Sequence, residues 1–311
     1  MNAMAPVDVS ASEVFDALRA CVSTETLIRE DEPLARKTTL RVGGPAEFYA
    51  EPASEGDLAL LLGVCHDHSV PVTVLGRGSN FLVRDGGVAG LVLCLKTSVF
   101  SEISVENSQL CCGAGARLRE VAALARKNRL SGMEFLEGIP GSIGGGLRMN
   151  AGAMGSEMFD VVKSVRFMDQ RGRIFEKSAT EIEVRYRDCC LFALRIVLDA
   201  TLMGTPDSEA AIAGRMNAFS QKRRDSQPAA LSAGCIFRNP PAIPAGKLVD
   251  ELGLKGARVG GAKVSNEHGN FIVNTGEATA NDVLELIELI QKEALKKQDI
   301  ELQTEVRIIG R

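Results

Sequence analysis

Residues 138–146 read Gly-Ile-Pro-Gly-Ser-Ile-Gly-Gly-Gly, and a second glycine-rich run, Gly-Arg-Gly-Ser-Asn, occupies residues 76–80. The second run directly follows an apolar, β-rich segment, so it begins where a buried strand is expected to end. Glycines allow positive φ and close approach of the backbone to a ligand, and such turns present N–H groups to phosphate oxygens. Either run alone could be a tight turn, whereas the two together favour a site for a large phosphorylated ligand.

Three commoner motifs fit less well. Residues 113–118, Gly-Ala-Gly-Ala-Arg-Leu, partly match the fingerprint of nicotinamide-dinucleotide sites, but Leu118 stands where the third glycine is needed. No Gly-x4-Gly-Lys-Ser/Thr run exists, which excludes a P-loop. Ser142 lies in an incomplete Gly-x-Ser-x-Gly pattern with no histidine nearby in the sequence to activate it.

Composition excludes several classes of protein. Lys and Arg number 36 against 40 Asp and Glu, and the net charge of −4 with no Trp argues against a nucleic-acid binder. The stretch 1–12 lacks the basic start and apolar run of a signal peptide, and no apolar run approaches the roughly 18–20 residues that span a bilayer. We therefore expect a soluble, cytoplasmic protein without membrane insertion.

Cysteine and histidine usage points the same way. The eight cysteines form no Cys-x-x-Cys pair, and a chain of 311 residues needs no disulfide framework, so reduced thiols are expected. Of only three histidines, His66 and His68 are interpreted as solvated residues beside a turn. No metal site is predicted.

The periodicity of apolar residues predicts strands that alternate with helices, which indicates an α/β or α+β chain of two or three domains. Strands are expected at 70–75 and 90–95, and helices at 55–66, 118–128, 209–224 and 279–297. The polar run 203–208 is the predicted domain boundary. Residues 301–308 alternate strictly and predict a strand with Glu305 on its polar face.

Several ordered motifs resemble one enzyme family. With residues 39–46, Thr-Leu-Arg-Val-Gly-Gly-Pro-Ala, the glycine runs resemble the flavin domain of the vanillyl-alcohol-oxidase type. Over residues 36–310 the chain more closely resembles the UDP-N-acetylenolpyruvoylglucosamine reductase family of bacterial peptidoglycan synthesis. The motifs are Leu-Gly-Arg-Gly-Ser-Asn-Phe-Leu at 75–82, the run at 138–145, Tyr-Arg-Asp at 186–188, Ser-Ala-Gly-Cys-Ile-Phe-Arg-Asn-Pro at 232–240, Asn-Phe-Ile-Val-Asn at 270–274 and Glu-Leu-Gln-Thr-Glu-Val-Arg at 301–307.

The resemblance implies an α+β protein: a two-lobed FAD-binding domain of the vanillyl-alcohol-oxidase (PCMH) type and a smaller α+β substrate-binding domain. We expect the FAD-binding domain over 1–204, with lobes of about 1–99 and 100–204, the substrate-binding domain over 205–299, and a returning strand over 300–311. FAD is expected to bind without a covalent link. Its expected contacts are Gly76, Arg77, Gly78, Ser79, Asn80, Gly138, Pro140, Gly141, Ser142, Gly145, Asn150 and Gly152.

The implied reaction reduces an enolpyruvyl ether of a UDP-sugar to a lactyl ether, with NADPH as hydride donor and no obligate protein partner. The matching catalytic positions are Arg187, Cys235 and Glu305. A guanidinium suits Arg187 because it stays charged and grips a carboxylate in bidentate fashion. Cys235 stands where the family most often has Ser; a thiol is largely protonated at neutral pH and is the more acidic donor. Glu305 needs burial and a raised pKa to act as an acid.

On the substrate side, the resemblance places a diphosphate-binding amide at Asn239, and Arg238, Arg223 and Arg224 are candidate cations. The family often has Lys where this chain has Ser226, so the replacing cation stays open. Only 48 positions separate Arg187 from Cys235, and no Tyr follows Tyr186. The chain thus resembles the shorter family type, which lacks a tyrosine-bearing loop over the substrate.

Two other functions are compatible with a flavin domain. One is an FAD oxidoreductase of the same fold that acts on a hydroxy acid or sugar lactone. The other is an electron-transfer flavin subunit or a flavin-binding relic without turnover. Neither alternative predicts the ordered set of Arg187, Cys235, Asn239 and Glu305.

Overall fold

The structure, a computed structural model, describes residues 10–311. Residues 1–9, which include most of the stretch tested above for a signal peptide and the start of the predicted first lobe, lie outside the described residues. The predicted α+β class is confirmed, because helices and strands are interspersed and most strand pairs are antiparallel.

The first lobe is built on a four-stranded sheet with strand order β1-β2-β5-β3. Its elements are α1 (Ala11–Ala20), β1 (Leu27–Pro33), β2 (Pro45–Glu51), α2 (Glu55–Asp67), β3 (Val72–Val74), β4 (Phe81–Val83) and β5 (Val88–Leu93). The nearly continuous apolar run of β5 suits a central strand that pairs in parallel with both β2 and β3. The first glycine run fills the connection between β3 and β4.

The second lobe contains an antiparallel sheet with strand order β12-β11-β13-β7-β6. Its elements are α3 (Ser98–Ser101), β6 (Ile103–Glu106), β7 (Gln109–Gly113), α4 (Leu118–Lys127), β8 (Leu130–Ser131), α5 (Ile143–Arg148), β9 (Gly152–Ala153), β10 (Ser156–Glu157), β11 (Val162–Met168), β12 (Ile174–Ser178), β13 (Ile196–Met203) and β14 (Thr205–Pro206). One apolar core runs through both lobes, and Ile212 and Met216 of α6 (Glu209–Ser226) belong to it.

The third unit has its own sheet and core. Its elements are β15 (Ser232–Cys235), α7 (Ala245–Glu251), β16 (Arg258–Val259), β17 (Ala262–Val264), β18 (Phe271–Asn274) and α8 (Ala280–Gln298). The sheet order is β15-β18-β17-β16, and α8 starts at a capping box between Thr279 and Asp282. Leu40, Val42 and Leu82 of the first lobe extend into this core, so the two units share an apolar interface.

The chain ends beside the first glycine run. Strand β19 (Arg307–Ile309) pairs in parallel with β4. The predicted strand over 301–308 is wrong in extent, because the backbone before Arg307 is bonded to a loop instead of a sheet ladder. Arg238 N–H donates to Gln303 O at 2.9 Å, and Glu305 N–H donates to Ile236 O at 2.8 Å. This contact brings Glu305 to the loop that follows Cys235.

The other secondary-structure predictions are confirmed within two residues at each end. The four predicted helices appear as α2, α4, α6 and α8, and the predicted strands at 70–75 and 90–95 appear as β3 and β5. All eight cysteines lie within the described residues and are free thiols, as expected. In residues 10–311 no helix is both long enough and apolar enough to cross a bilayer.

Candidate active site

The two glycine runs lie against each other. A Cβ on Gly76 would sit 2.9 Å from the hydroxyl of Ser142, the buried residue that precedes α5. Gly78 has φ +64° and abuts the backbone at Lys37 and Thr38, so no side chain fits there. We call residues 76–80 with 138–152 the glycine cradle.

The partial dinucleotide fingerprint supports this cradle by packing. A Cβ on Gly113 or Gly115 would overlap the backbone at Phe100 or Leu95. The alanines that follow these two glycines accept from the start of α5, with Gly144 N–H to Ala114 O at 2.8 Å and Ile143 N–H to Ala116 O at 3.0 Å. These glycines are therefore explained by close contact of backbones.

Residues of the cradle fit a bound flavin nucleotide. Asn150, 1% exposed and with φ +38°, accepts from Phe159 N–H through Oδ1, but its buried Nδ2 has no partner in residues 10–311. A buried amide donor without an acceptor is costly, which favours a polar ligand atom beside it. Gly145, Pro140 and Arg77 are exposed on the cradle.

Asn80 forms hydrogen bonds to the protein's own C-terminal segment. Its Nδ2 donates to Glu305 O at 3.2 Å, and its backbone oxygen accepts from Arg307 N–H at 3.0 Å. The last residue of the first glycine run thus anchors the backbone on both sides of Val306. This contact joins residues 225 positions apart in the sequence.

Arg187 and Glu305 form an ion pair. Arg187 Nε donates to Glu305 Oε1 at 3.0 Å, and Nη2 donates to Gly152 O at 3.0 Å, so the guanidinium lies at the edge of the cradle. Burial raises the pKa of Glu305 above its ordinary value, while the charge of Arg187 opposes that rise. The pair therefore places a fixed cation and a perturbed carboxyl side by side.

Cys235 belongs to the third unit and is adjacent in sequence to Ile236, whose backbone oxygen accepts from Glu305 N–H at 2.8 Å. It ends β15, whose register with β18 shifts between Ser232 and Cys235 around Gly234 at φ +75°. Burial, and next the charge of Glu305, raise the pKa of the thiol to about 11. The thiol thus keeps its proton at neutral pH.

Asn270 holds the loop after Cys235, a role that sequence reasoning did not assign. It is 2% exposed; its Oδ1 accepts from Phe237 N–H at 2.8 Å and its Nδ2 donates to Phe237 O at 2.8 Å. Its backbone oxygen also accepts from Ile236 N–H. The motif at 270–274 contained the residue, but only the fold reveals its partner.

The candidate substrate residues are placed differently from one another. Arg223 lies over Gly138. Burial lowers the pKa of Arg223, and its positive charge partly opposes the rise in the pKa of the Cys235 thiol. Its Nε donates to Gln227. Arg238 has a buried Nε without a partner in the described chain. Its positive charge opposes the rise in the pKa of Glu305.

Two further candidates are engaged elsewhere. The exposed Asn239 accepts from Ala245 N–H at 3.0 Å through Oδ1, which caps α7 and leaves its amide nitrogen available. Arg224 donates to Gln221 at 2.7 Å on the exposed face of α6. The structure thus brings Arg223 and Arg238 to Cys235 and Glu305, and leaves Arg224 outside this group.

Comparisons with known proteins agree with this arrangement. Residues 46–178 match the family model of an FAD binding domain, and residues 227–309 match that of the C-terminal domain of UDP-N-acetylenolpyruvoylglucosamine reductase. The UDP-N-acetylenolpyruvoylglucosamine reductase of Lactobacillus helveticus is 43% identical over 91% of this chain and 95% of its own. That of Syntrophomonas wolfei is 39% identical over 96% of this chain and 99% of its own.

A solved structure gives the same result. The crystal structure of UDP-N-acetylenolpyruvylglucosamine reductase from Thermus caldophilus superposes with a TM-score of 0.80 at 36% identity. The match covers 91% of this chain and all of that one. The predicted combination of an FAD-binding domain with a smaller α+β domain is confirmed.

Proposed function

The chain belongs to the UDP-N-acetylenolpyruvoylglucosamine reductase family and is an FAD-containing oxidoreductase, and we propose that it reduces UDP-N-acetylglucosamine enolpyruvate to UDP-N-acetylmuramate with NADPH. We place this reaction in the cytoplasmic synthesis of peptidoglycan precursors. One observation carries the proposal: Arg187 and Glu305 form an ion pair at the edge of the glycine cradle, and Glu305 N–H donates to the oxygen of Ile236, the residue after Cys235.

The cradle residues would hold FAD without a covalent link. Backbone N–H groups of the two glycine runs would donate to its phosphate oxygens, and the unpartnered Nδ2 of Asn150 would supply one further donor. Bound FAD supplies the transfer of hydride from NADPH to the terminal CH2 carbon of the enolpyruvyl group. Acid treatment of the yellow protein should release the flavin; a flavin that stays with the precipitated chain contradicts the non-covalent assignment.

Arg187 would stabilise the negative charge that the reaction creates. Hydride addition moves an electron pair from the C=C bond onto the α carbon and its carboxylate, and a guanidinium can hold such a carboxylate through two N–H groups. Nε and Nη2 are held by Glu305 and Gly152 O, whereas Nη1 has no partner in residues 10–311. That nitrogen is available to the substrate.

Cys235 would give its proton to the α carbon. This completes the change from CH2=C to CH3–CH, with hydride on one carbon and the proton on the other. The raised pKa keeps the thiol protonated until the neighbouring carbon becomes basic, and water then restores the proton.

Arg223 is the proposed replacement for the lysine that the family often has at position 226. A partly buried guanidinium without a carboxylate partner is unfavourable unless an anion binds it, and Arg223 forms no ion pair in the described chain. Arg238 and the free amide nitrogen of Asn239 supply further donors for the substrate diphosphate. We assign to Arg224 only a contribution to the positive charge of the surface near the site.

The domain division stays part of this proposal: FAD binding over 1–204, substrate binding over 205–299 and a returning segment over 300–311. The family matches at 46–178 and 227–309 support two functional units. Helix α6 packs in the core of the second lobe through Ile212 and Met216, which supports a bridging position between them.

The decisive experiment is steady-state oxidation of NADPH by the purified holoenzyme. We expect oxidation to depend on the enolpyruvyl sugar nucleotide and to be absent with UDP-N-acetylglucosamine, which lacks the C=C bond. Oxidation of NADPH driven only by oxygen, or reduction of FAD by a hydroxy acid or sugar lactone, would favour the other FAD oxidoreductase named above. Absence of any turnover with rapid FAD reduction would favour an electron-transfer module.

A further inference from the structure

The turn that carries Arg187 is strained. Residues 185 and 188 exchange backbone hydrogen bonds, with Arg185 N–H to Asp188 O at 2.8 Å and Asp188 N–H to Arg185 O at 3.1 Å. Arg187 occupies the third position of this turn with φ +56°, where glycine is usually found. A left-handed side-chain-bearing residue costs about 1–2 kcal/mol and persists only where its surroundings enforce it.

Contacts to the end of helix α5 enforce this conformation. Arg148 Nη1 donates to Asp188 Oδ1 at 2.5 Å, and Arg148 O accepts from Cys189 N–H at 3.1 Å. The thiol of Cys190 donates to the other carboxylate oxygen of Asp188. The ionic side chains are 20% and 24% exposed, so solvent and salt screen their attraction only in part.

We propose that Arg148 and Asp188 form a positioning pair, which ties the turn of Arg187 to the last residue of the glycine-cradle helix and so sets the guanidinium for reaction. The inference rests on the proposed function and deepens it. Neither side chain is hydrogen-bonded to the guanidinium, which is held by Glu305 and Gly152 O. The pair acts through the backbone of the turn.

The chain offers a matched control. Arg166 Nη1 donates to Asp199 Oδ2 at 2.5 Å between β11 and β13, in the same lobe and with side chains 37% and 18% exposed. We expect Asp188→Asn and Arg148→Met to lower kcat by about 10- to 100-fold, the scale of a small misplacement of a reacting group. KM for the enolpyruvyl sugar nucleotide should stay within twofold in both variants, and so should the FAD content of Asp188→Asn, which lies outside the cradle. Asp199→Asn should keep kcat within twofold whatever its effect on the melting temperature.

A double variant separates positioning from general damage. Because Asp188 acts through Arg187, adding Asp188→Asn to Arg187→Ala should cause no further loss of kcat. The proposal is overturned by parent kcat in Asp188→Asn, by an equal loss in Asp199→Asn, or by a full further loss in the double variant.

Crystal structures give a readout that needs no turnover. In Asp188→Asn we expect Arg187 to leave φ near +56° and its guanidinium to leave Gly152 O, with both retained in Asp199→Asn. An unchanged turn in Asp188→Asn would overturn the positioning pair, and this result does not depend on the proposed reaction. Failure of the parent holoenzyme to oxidise NADPH with the sugar nucleotide overturns the proposed function instead.

Discussion

The two sides of the candidate site are held by different forces. On the side of the second lobe, Arg187 sits in a left-handed turn fixed by ion pairs to Glu305 and between Arg148 and Asp188. On the side of the third unit, Cys235 precedes a loop fixed by the neutral, buried amide of Asn270. In the proposed mechanism, charge thus holds the group that stays cationic, and neutral hydrogen bonds hold the group that keeps its proton.

This difference has a physical consequence. Partly exposed ion pairs contribute little to folding, so changes on the Arg187 side should affect rate more than stability. A buried amide that satisfies two backbone groups contributes strongly to folding, so changes at Asn270 should affect stability first. Glu305 belongs to both sides, since its side chain meets Arg187 and its N–H meets Ile236 O.

The largest effect is expected at Cys235. Cys235→Ala should lower turnover of the enolpyruvyl sugar nucleotide by about 10²–10⁴-fold, the usual contribution of a positioned general acid. Cys235→Ser should remain active because a hydroxyl can donate from the same position. Stopped-flow reduction of FAD by NADPH should be unchanged in both variants, and the exposed Cys111→Ala is the control. Parent turnover in Cys235→Ala would remove the thiol from the mechanism.

On the charged side, Arg187→Ala should lower turnover by about 10²–10³-fold, with a smaller effect on KM, because it removes a donor to charge that develops in the transition state. Arg185→Ala in the same turn is the control, since within residues 10–311 Arg185 forms an ion pair only with the exposed Glu183. The double variant with Glu305→Gln should lose less than the sum of the single losses in free energy, as both act on one charge. The rate at which substrate reoxidises the reduced flavin is measured for each variant. A single variant with an unchanged rate would exclude its residue from the mechanism.

The sequence carries much of this site but little of its support. Motifs identify Arg187, Cys235 and Glu305 through the resemblance, and the glycine runs identify the cradle because only glycine permits such backbone contacts. The alternation over 301–308 placed Glu305 on a polar face, yet the loop after Cys235 covers it. The periodicity of a segment shows which of its faces is polar, but it does not show which other segment packs against that face.

The remaining contacts are long-range, which local patterns do not encode. Asn80 meets Glu305 O across 225 positions, and Arg187 meets Glu305 across 118. The left-handed conformation of Arg187 is equally invisible, since arginine has no preference for it and the surroundings impose it. Fold class and helix positions, by contrast, follow from spacing within short windows and are confirmed.

The neutral side of the comparison is tested by stability. Asn270→Ala leaves Phe237 N–H and C=O unpaired in a buried place, which should lower the free energy of unfolding by about 1–3 kcal/mol for each group. Asp188→Asn should cost less than about 1 kcal/mol, and the exposed Asn281→Ala should be near neutral. Denaturant titrations measure all three. If Asp188→Asn proved as costly as Asn270→Ala, the contrast between the two sides would be wrong.

The smallest effect concerns the pH dependence that Glu305 adds to stability. Burial raises the folded-state pKa of Glu305 above the ordinary carboxyl value near 4.5, against the charges of Arg187 and Arg238. Between these two pKa values the folded chain binds more protons than the unfolded chain, so stability falls as pH rises. The contribution is fully present below the ordinary pKa and is lost as pH rises through the raised pKa.

Glu305→Gln removes this contribution, so the melting temperature of this variant relative to the parent should increase with pH from about 4 upward and then level off. In an Arg187→Ala background the pKa of Glu305 rises further, and the increase should extend to higher pH. A relative melting temperature of Glu305→Gln that falls with pH would mean that Arg187 outweighs burial, and that the carboxylate is held by the charged side alone.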